Sequence, residues 1–385
     1  MRILRVATVP FFVLHHLRAR IEFLVAAGHE VAVVASPGEG GDEIRRMKRV
    51  AFLPVAIARP IAPLRDLLAL VSLWRVMRQY RPQIVHSTTP KAGLLSAIAA
   101  LLAGVPIRIH TFTGQAWATL TGPLRWIAKS ADWLIVKLNT RCYADSPSQR
   151  RFMVAEGICR EREVGVLGSG SLAGVDLERF DASRLLPVRE QLRKRYGVPA
   201  EARVITFIGR VTRDKGIVEL VTAFRSVREA VPSAFLLIVG PLEPHLDPLP
   251  GDILPELRNG PSIRAAGYDP HPESCLAFTE VLCIPSYREG FGNVVIEAAA
   301  LGIPTVGTRI DGLRDAVVDG VTGVLVPPRD SAALADALVG LLTDDARRKR
   351  MGSAAQDGAR RLFDSRIVNG YVLKEYERLL SARGS

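Results

Sequence analysis

Two Rossmann-like α/β domains, each a parallel sheet covered by helices, are what this sequence predicts. Strand-like and helix-like patterns alternate along the whole chain. The alternation is interrupted by a Gly/Ser/Asp-rich and then strongly charged stretch at about 168–197, after which it starts again. Turns rich in glycine and cations follow two of the later strands. A length of 385 residues gives each domain enough chain for its own core. Hydrophobic residues at 48% and charged residues at 23% suit a folded protein.

The first elements read in order as a strand at 2–7, an amphipathic helix at 14–27, a stop at Gly28 and a strand at 30–35. A short strand at 84–86, a helix at 92–103 and a strand at 107–110 continue the series. Such alternation implies parallel strands buried on both faces. The stretch from Ala92 to Ile107 carries no charge, but it contains Gly93, Gly104 and Pro106. It is shorter than the roughly 20 residues of a membrane span, so a buried helix is expected, with a re-entrant segment as the alternative. After Val198 come a strand at 204–208, a loop at 209–216, a helix at 217–230 and a strand at 235–239. Further strands are expected at 263–265, 281–284, 305–307 and 323–326, with a last helix at 365–380. The domains are therefore expected at 1–185 and 186–364, with the helix in 365–385 packing back on the first.

Charge is unevenly divided. Residues 1–200 hold 29 Lys+Arg against 15 Asp+Glu, and the remainder holds 22 against 24. A basic first half attracts anionic membranes or phosphorylated ligands. Nucleic-acid-binding motifs are absent from the sequence. Cys142, Cys159, Cys275 and Cys283 form no CxxC pair and no metal-ligand spacing with histidine, as in a protein of a reduced, cytoplasmic compartment. The charged start Arg2-Ile3-Leu4-Arg5-Val6 reads as a strand, not a signal peptide.

Two stretches carry chemistry. In Arg288-Glu289-Gly290-Phe291-Gly292-Asn293-Val294-Val295-Ile296-Glu297 the glycines let backbone approach a ligand. A helix then begins near Asn293, and its free N–H groups suit a diphosphate. Glu289 before the helix and Glu297 one turn inside it can bracket a ligand. In Phe207-Ile208-Gly209-Arg210-Val211-Thr212-Arg213-Asp214-Lys215-Gly216 the loop follows a strand, where open α/β sheets bind ligands. There Arg210 can fork onto phosphate oxygens and Lys215 adds a point charge. The plainer alternatives are a loop charge, a solvated helix face and a solvated turn.

These motifs together resemble retaining glycosyltransferase family 4, over nearly the whole chain. Glu289 and Glu297 match its E-x7-E pattern, and Arg210 and Lys215 match its Arg/Lys pair. Gly302-Ile303-Pro304-Thr305-Val306 and Gly320-Val321-Thr322-Gly323-Val324-Leu325-Val326 also resemble family signatures. The resemblance implies the GT-B fold, two facing Rossmann-like domains with a C-terminal helix crossing back to the first. It implies a nucleotide-sugar donor held by the second domain and no cofactor. Arg210 and Lys215 would stabilise the leaving diphosphate, Glu289 would contact the donor sugar and Glu297 the ribose. Gly209, Gly290, Phe291, Gly292, Asn293 and Val294 would line the donor, and Gly267 and Tyr268 fall where the base-binding loop lies. The sequence holds no D-x-D triplet, and fixed cations with helix amides are expected to serve without a metal.

The first domain departs from the family pattern. Val9-Pro10-Phe11-Phe12, followed by His15 and His16, replaces the usual glycine pair. Thr113 stands where relatives place a histidine before Gly114, and His110 lies three residues earlier. His110 is a catalytic candidate, with a core histidine as its alternative. The runs His86-Ser87-Thr88-Thr89-Pro90-Lys91-Ala92-Gly93 and Arg108-Ile109-His110-Thr111-Phe112-Thr113-Gly114-Gln115 resemble the subset that assembles lipid-linked capsule or O-antigen polysaccharides. Pro10, Phe11, His15, His86, Lys91 and Gly114 are the acceptor candidates, against structural or merely exposed roles. The stretches 64–81 and 117–141 hold all four tryptophans among leucines and cations, which suits either core packing or an anionic membrane surface. A peripheral enzyme on the cytosolic face of the inner membrane is the expectation. A transferase for a small soluble acceptor, a non-catalytic GT-B subunit and a sugar-nucleotide epimerase are the alternatives.

Overall fold

The computed structural model describes residues 1–243 and 248–384. The chain divides into two compact units, one of Met1–Gly174 with the terminal segment from Ser365, the other of Val175–Asp364.

The first unit is built on seven parallel strands: β1 (Arg2–Val6), β2 (Glu30–Val34), β3 (Val50–Phe52), β4 (Ile84–Thr88), β5 (Ile107–Phe112), β6 (Arg141–Ala144) and β7 (Val164–Val166), in the order β3-β2-β1-β4-β5-β6-β7. Side chains alternate between faces. Ile3, Val31, Val33, Ile84 and Ile109 pack with Leu17, Ile21 and Tyr376 on one face. Leu4, Val6, Ala32, Val34 and Val85 pack with Leu73, Met77 and Ala92 on the other. The terminal helix Ser365–Gly384 belongs to this unit, where Tyr376 is buried and accepts a 3.0 Å hydrogen bond from Arg5 of β1.

The second unit has six parallel strands: β8 (Arg203–Ile208), β9 (Ala234–Val239), β10 (Ile263–Gly267), β11 (Val281–Ile284), β12 (Thr305–Thr308) and β13 (Gly323–Val326), in the order β10-β9-β8-β11-β12-β13. Phe235, Leu237 and Val239 face one core, while Leu236 and Ile238 face the other. The amphipathic helix Ile217–Ala230 covers the second of these with Leu220, Val221, Phe224 and Val227.

The order of the second sheet is that of a doubly wound dinucleotide-binding fold. Its first strand, β8, lies between β9 and β11, so the connections leave β8 and β11 in opposite directions. The crevice for a ligand in such a sheet lies at the carboxyl ends of these two strands.

Several local expectations shift. The segment 175–185, expected with the first domain, packs in the second unit. Val175 donates to the carbonyl of Phe363 at 2.7 Å, and Val175 and Phe180 are buried in its core. The first helix begins at Pro10 and passes through a π-helical stretch, Val13–Leu17, before Arg18–Ala26.

Candidate functional site

The two cationic and carboxylate motifs meet at the switch point of the second sheet. The loop after β8 carries Arg210, and a short 3₁₀ turn Arg213–Lys215 ends it. The loop after β11 carries Glu289. Gly216, at φ +73°, lets the two approach: a Cβ there would lie 2.0 Å from the carbonyl oxygen of Pro285. Only glycine fits such a position without strain. Tyr287 N–H then donates to the Asp214 carbonyl at 2.9 Å, tying the loops by backbone.

Side chains complete the junction. Lys215 Nζ donates to Glu289 Oε1 at 2.5 Å, and Ser286 Oγ donates to the same oxygen at 2.7 Å. Arg210 donates to Glu243 Oε2 at 3.1 Å and lies 3.6 Å from Asp214 Oδ2. Arg288 donates to Asp214 Oδ2 at 2.9 Å, and Thr212 Oγ1 to Asp214 Oδ1 at 2.5 Å. Burial pushes the Asp214 carboxyl upward, but the Thr212 hydrogen bond and the charges of Arg288, Lys215 and Arg210 outweigh it and hold it below the ordinary value. Three cations thus converge on one small region, each fixed by a carboxylate.

Beyond this loop the helix Asn293–Ala300 starts at Gly292, which has φ +88°. The left-handed backbone there favours glycine, and a Cβ would also lie 2.8 Å from Leu313 Cδ2. Glu297 sits one turn inside the helix. Burial pushes its carboxyl up to about 7, with Arg179 opposing and Glu273 adding to the shift. Gly267 ends β10, and Tyr268 beside it is 46% exposed. The structure thus brings together Gly209, Arg210, Lys215, Glu289 and Gly290 around the loops after β8 and β11, with Gly292, Asn293 and Val294 at the helix start. Phe291 is a correction: its ring is buried against Phe363, with centroids 5.1 Å apart, so only its backbone can face a ligand.

In the first unit the candidates fall into two groups. Phe11 and His15 are exposed at the carboxyl end of β1, their rings stacked with centroids 4.0 Å apart. Pro10 is the first helical residue and is buried, so it positions Phe11 rather than presenting itself. Gly114, at φ +112°, lies in the turn after β5. Lys91 pairs with Asp66 at 2.7 Å and donates to the Pro60 carbonyl, a structural tie.

The histidines of β4 and β5 are core residues, against the roles expected of them. His110 is 1% exposed, and its Nδ1 lies 2.9 Å from Ser87 Oγ. Burial and then the charge of Arg5 push its pKa down to about 3. The ring fills the space left by Gly93, where a Cβ would lie 2.4 Å from His110 Cε1. His86 is equally buried between Tyr376 OH at 2.6 Å and Thr111 Oγ1 at 2.8 Å. Neither imidazole reaches a surface at which an acceptor hydroxyl would arrive.

Some site residues had no sequence signal. Thr89 holds φ +73°, uncommon for a β-branched residue, and pairs with Thr8 through their hydroxyls at 2.7 Å. These two sit at the carboxyl ends of neighbouring strands β4 and β1. In the second unit Thr212, Asp214, Ser286 and Glu243 hold the named cations and acids in place. Of these, Thr212 and Asp214 lie within a motif quoted from the sequence, whereas Ser286 and Glu243 do not. Trp117 is buried against Phe152, whereas Trp126 is 72% exposed and Trp74 and Trp133 also reach the surface.

Known proteins resemble this chain over both units. A family model described as "Glycosyl transferases group 1" matches residues 188–358, and one described as "Glycosyl transferase 4-like domain" matches 15–168. A capsular polysaccharide biosynthesis glycosyltransferase, CapM, of Staphylococcus aureus is 31% identical over 91% of this chain and 90% of its own. The UDP-Gal:alpha-D-GlcNAc-diphosphoundecaprenol alpha-1,3-galactosyltransferase of Escherichia coli is 25% identical over 86% of this chain and 82% of its own. Among solved structures, Anabaena HepE in complex with UDP and glucose matches with a TM-score of 0.78 at 18% identity, covering 98% of this chain and 100% of that one.

Proposed function

Since this chain belongs to the group 1 glycosyltransferases and has their GT-B fold, we propose that it moves a hexose or N-acetylhexosamine from a UDP-linked donor to a polyprenyl-diphosphate-linked saccharide in surface polysaccharide assembly. The observation that carries the reading is the junction at the switch point, where Lys215 and Glu289 lie 2.5 Å apart beside Arg210. Breaking a glycosyl–phosphate bond builds negative charge on the departing diphosphate. Arg210, Lys215 and the amides at the start of Asn293–Ala300 are fixed before the reaction, so they stabilise that charge without reorganising. No metal is required in this reading.

Glu289 has two donors on one carboxylate oxygen, Lys215 and Ser286, which leaves its other oxygen to accept from a sugar hydroxyl. Glu297 accepts from the ribose. The acceptor hydroxyl attacks the anomeric carbon on the face the diphosphate leaves, and its proton passes to a leaving phosphate oxygen. Configuration is then retained. His110 takes no part. Phe11, His15 and Gly114 receive the acceptor.

Two relatives support the acceptor class by what their names state: CapM in capsule biosynthesis, the Escherichia coli enzyme on a diphosphoundecaprenol. Among the described residues, no helix is long and apolar enough to cross a membrane. The helices Pro63–Tyr80 and Gly122–Leu138 nonetheless expose Leu64, Leu67, Leu68, Leu124, Trp126 and Ile127. Lys129 lies 5.9 Å from the Trp126 ring centre and Lys137 6.0 Å from that of Trp133. Apolar side chains interleaved with cations suit a peripheral seat on anionic lipid at the cytosolic face of the inner membrane.

The test is a panel of nucleotide sugars offered with a pool of lipid-linked acceptors and read by mass spectrometry. One donor should add a hexose or N-acetylhexosamine mass to a lipid-linked species. Transfer only to soluble acceptors would overturn the acceptor class. Failure of folded protein to take up any nucleoside diphosphate in calorimetry would overturn the whole reading. Flotation on vesicles checks the membrane seat, with recovery expected on anionic but not on neutral lipid.

A further inference from the structure

Resting on the diphosphate reading of this site, a further role falls to Glu243, which already occupies the Arg210 guanidinium. Two carboxylates share that group, and they are held very differently. Asp214 accepts from Thr212 and Arg288 with its side chain and from Tyr287 N–H with its carbonyl. Glu243 has Arg210, at 3.1 Å, as its one side-chain partner among the described residues. The two residues before it are nevertheless tied to the neighbouring loop. Beyond β9 the chain runs beside the loop after β8: Val211 N–H donates to the Pro241 carbonyl at 2.9 Å, and Val211 and Leu242 form a parallel bridge. A Cβ on Gly240 would lie 1.8 Å from the Gly209 carbonyl oxygen, so the two segments are in contact. The fold therefore delivers the Glu243 carboxylate to Arg210, and among the described residues Arg210 alone retains its side chain there.

We propose that Glu243 is a stand-in for the donor's diphosphate on Arg210 and sets how tightly nucleoside diphosphate is held. A diphosphate offers the guanidinium fork two oxygens and more than one negative charge, which a single carboxylate does not match. Of the two carboxylates on Arg210, Glu243 is the one that yields. Glu243 thus keeps Arg210 aimed at the site between turnovers and promotes departure of the spent nucleotide.

The experiment uses the full chain and two probes, UDP and inorganic pyrophosphate, in calorimetric titrations of wild type and Glu243→Gln. Breaking a part-exposed ion pair of this kind opposes binding by roughly two- to fivefold. Glu243→Gln should therefore bind both probes about two- to fivefold more tightly and release UDP correspondingly more slowly in stopped flow. In an Arg210→Gln background the same substitution should leave affinity unchanged, because the guanidinium it acts on is gone. Equal or weaker binding by Glu243→Gln, while wild type binds, overturns the stand-in alone. An equal effect in both backgrounds also overturns it, since that marks a merely structural residue. No uptake of either probe by folded wild type removes the diphosphate site and the stand-in together.

Discussion

Replacing Lys215 with alanine separates transition-state stabilisation from folding at this site. The ammonium lies 2.5 Å from Glu289 Oε1, and the two side chains are 17% and 18% exposed. Two effects follow from that geometry. Loss of one preorganised group facing a developing charge costs about 10²–10³-fold in kcat, or about 3–4 kcal/mol. Loss of the pair also leaves a largely buried carboxylate with only the Ser286 hydroxyl, at 2.7 Å, on the same oxygen. A fully buried pair broken in this way would cost about 3–5 kcal/mol, and the residual exposure of both groups reduces this to about 1–3 kcal/mol. Steady-state kinetics should show kcat and kcat/KM falling together, the pattern of an interaction made mainly in the transition state. Denaturant unfolding should show the smaller loss, and Lys215→Ala/Glu289→Gln should recover part of it by removing the stranded charge. A folded Lys215→Ala protein that turns over within about threefold of wild type would refute the assignment, because the loss expected of a group facing the diphosphate is at least ten times larger.

Other residues give sharper signs than magnitudes. Glu297, with its carboxyl raised to about 7, binds its proton more tightly folded than unfolded. Stability should therefore fall as pH rises from about 4.5 to 7, and UDP affinity should rise as the carboxylate forms. Glu297→Gln should flatten both profiles, and unchanged profiles would sink the ribose role. His110, pushed down to about 3, acts oppositely: its contribution is complete above about 6.5 and is lost as pH falls toward 3. His110→Gln should lower the unfolding midpoint at pH 7 and weaken that acid dependence while leaving kcat within a few-fold, whereas a thousandfold loss in kcat would restore a catalytic role. Gly216→Ala should destabilise the protein by more than about 2 kcal/mol and abolish UDP binding, since its Cβ would sit 2.0 Å from the Pro285 oxygen. Gly197, at φ +66° with nothing within 4 Å, should cost only about 1 kcal/mol on the same change. Equal losses measured for the two would show that the loop contact is dispensable.

Much of the second unit was legible because its strands and helices are local patterns. The helix Ile217–Ala230 and the strands β11 and β13 stand where apolar periodicity places them. The domain border was less legible because it depends on a distant partner: Val175 joins the second unit by pairing with Phe363, far along the chain. Strands β3 and β7 have three residues each, too few for a period of two to declare itself. His110 misled because its environment is set by Gly93, a helix residue 17 positions earlier. The missing side chain makes room for the imidazole, and nothing in the local run around His110 records this. Phe291 misled in another way. It lies within a ligand-lining motif, but such a motif needs its alternate residues to anchor the loop, and this ring is the anchor.

The same logic explains why the chemistry was visible in the sequence while its control was not. Residues that meet a common substrate group, such as Arg210, Lys215 and Glu289, recur as compact motifs because one loop or one helix start must deliver them. Residues that hold those groups in place obey no such spacing. Glu243 reaches Arg210 from the segment after β9, and Ser286 and Lys215 reach one oxygen of Glu289 from two loops. The contacts of Glu243 and Lys215 exist only because β8 lies between β9 and β11, a relation fixed by sheet order. Each of three cations in this crevice is matched with an acid by that order. Without such matching, the mutual repulsion of Arg210, Lys215 and Arg288 would oppose the approach of the two loops. The charges that stabilise a departing diphosphate are therefore tolerable in the fold only alongside carboxylates, and how tightly each carboxylate is held governs whether it gives way when the diphosphate binds.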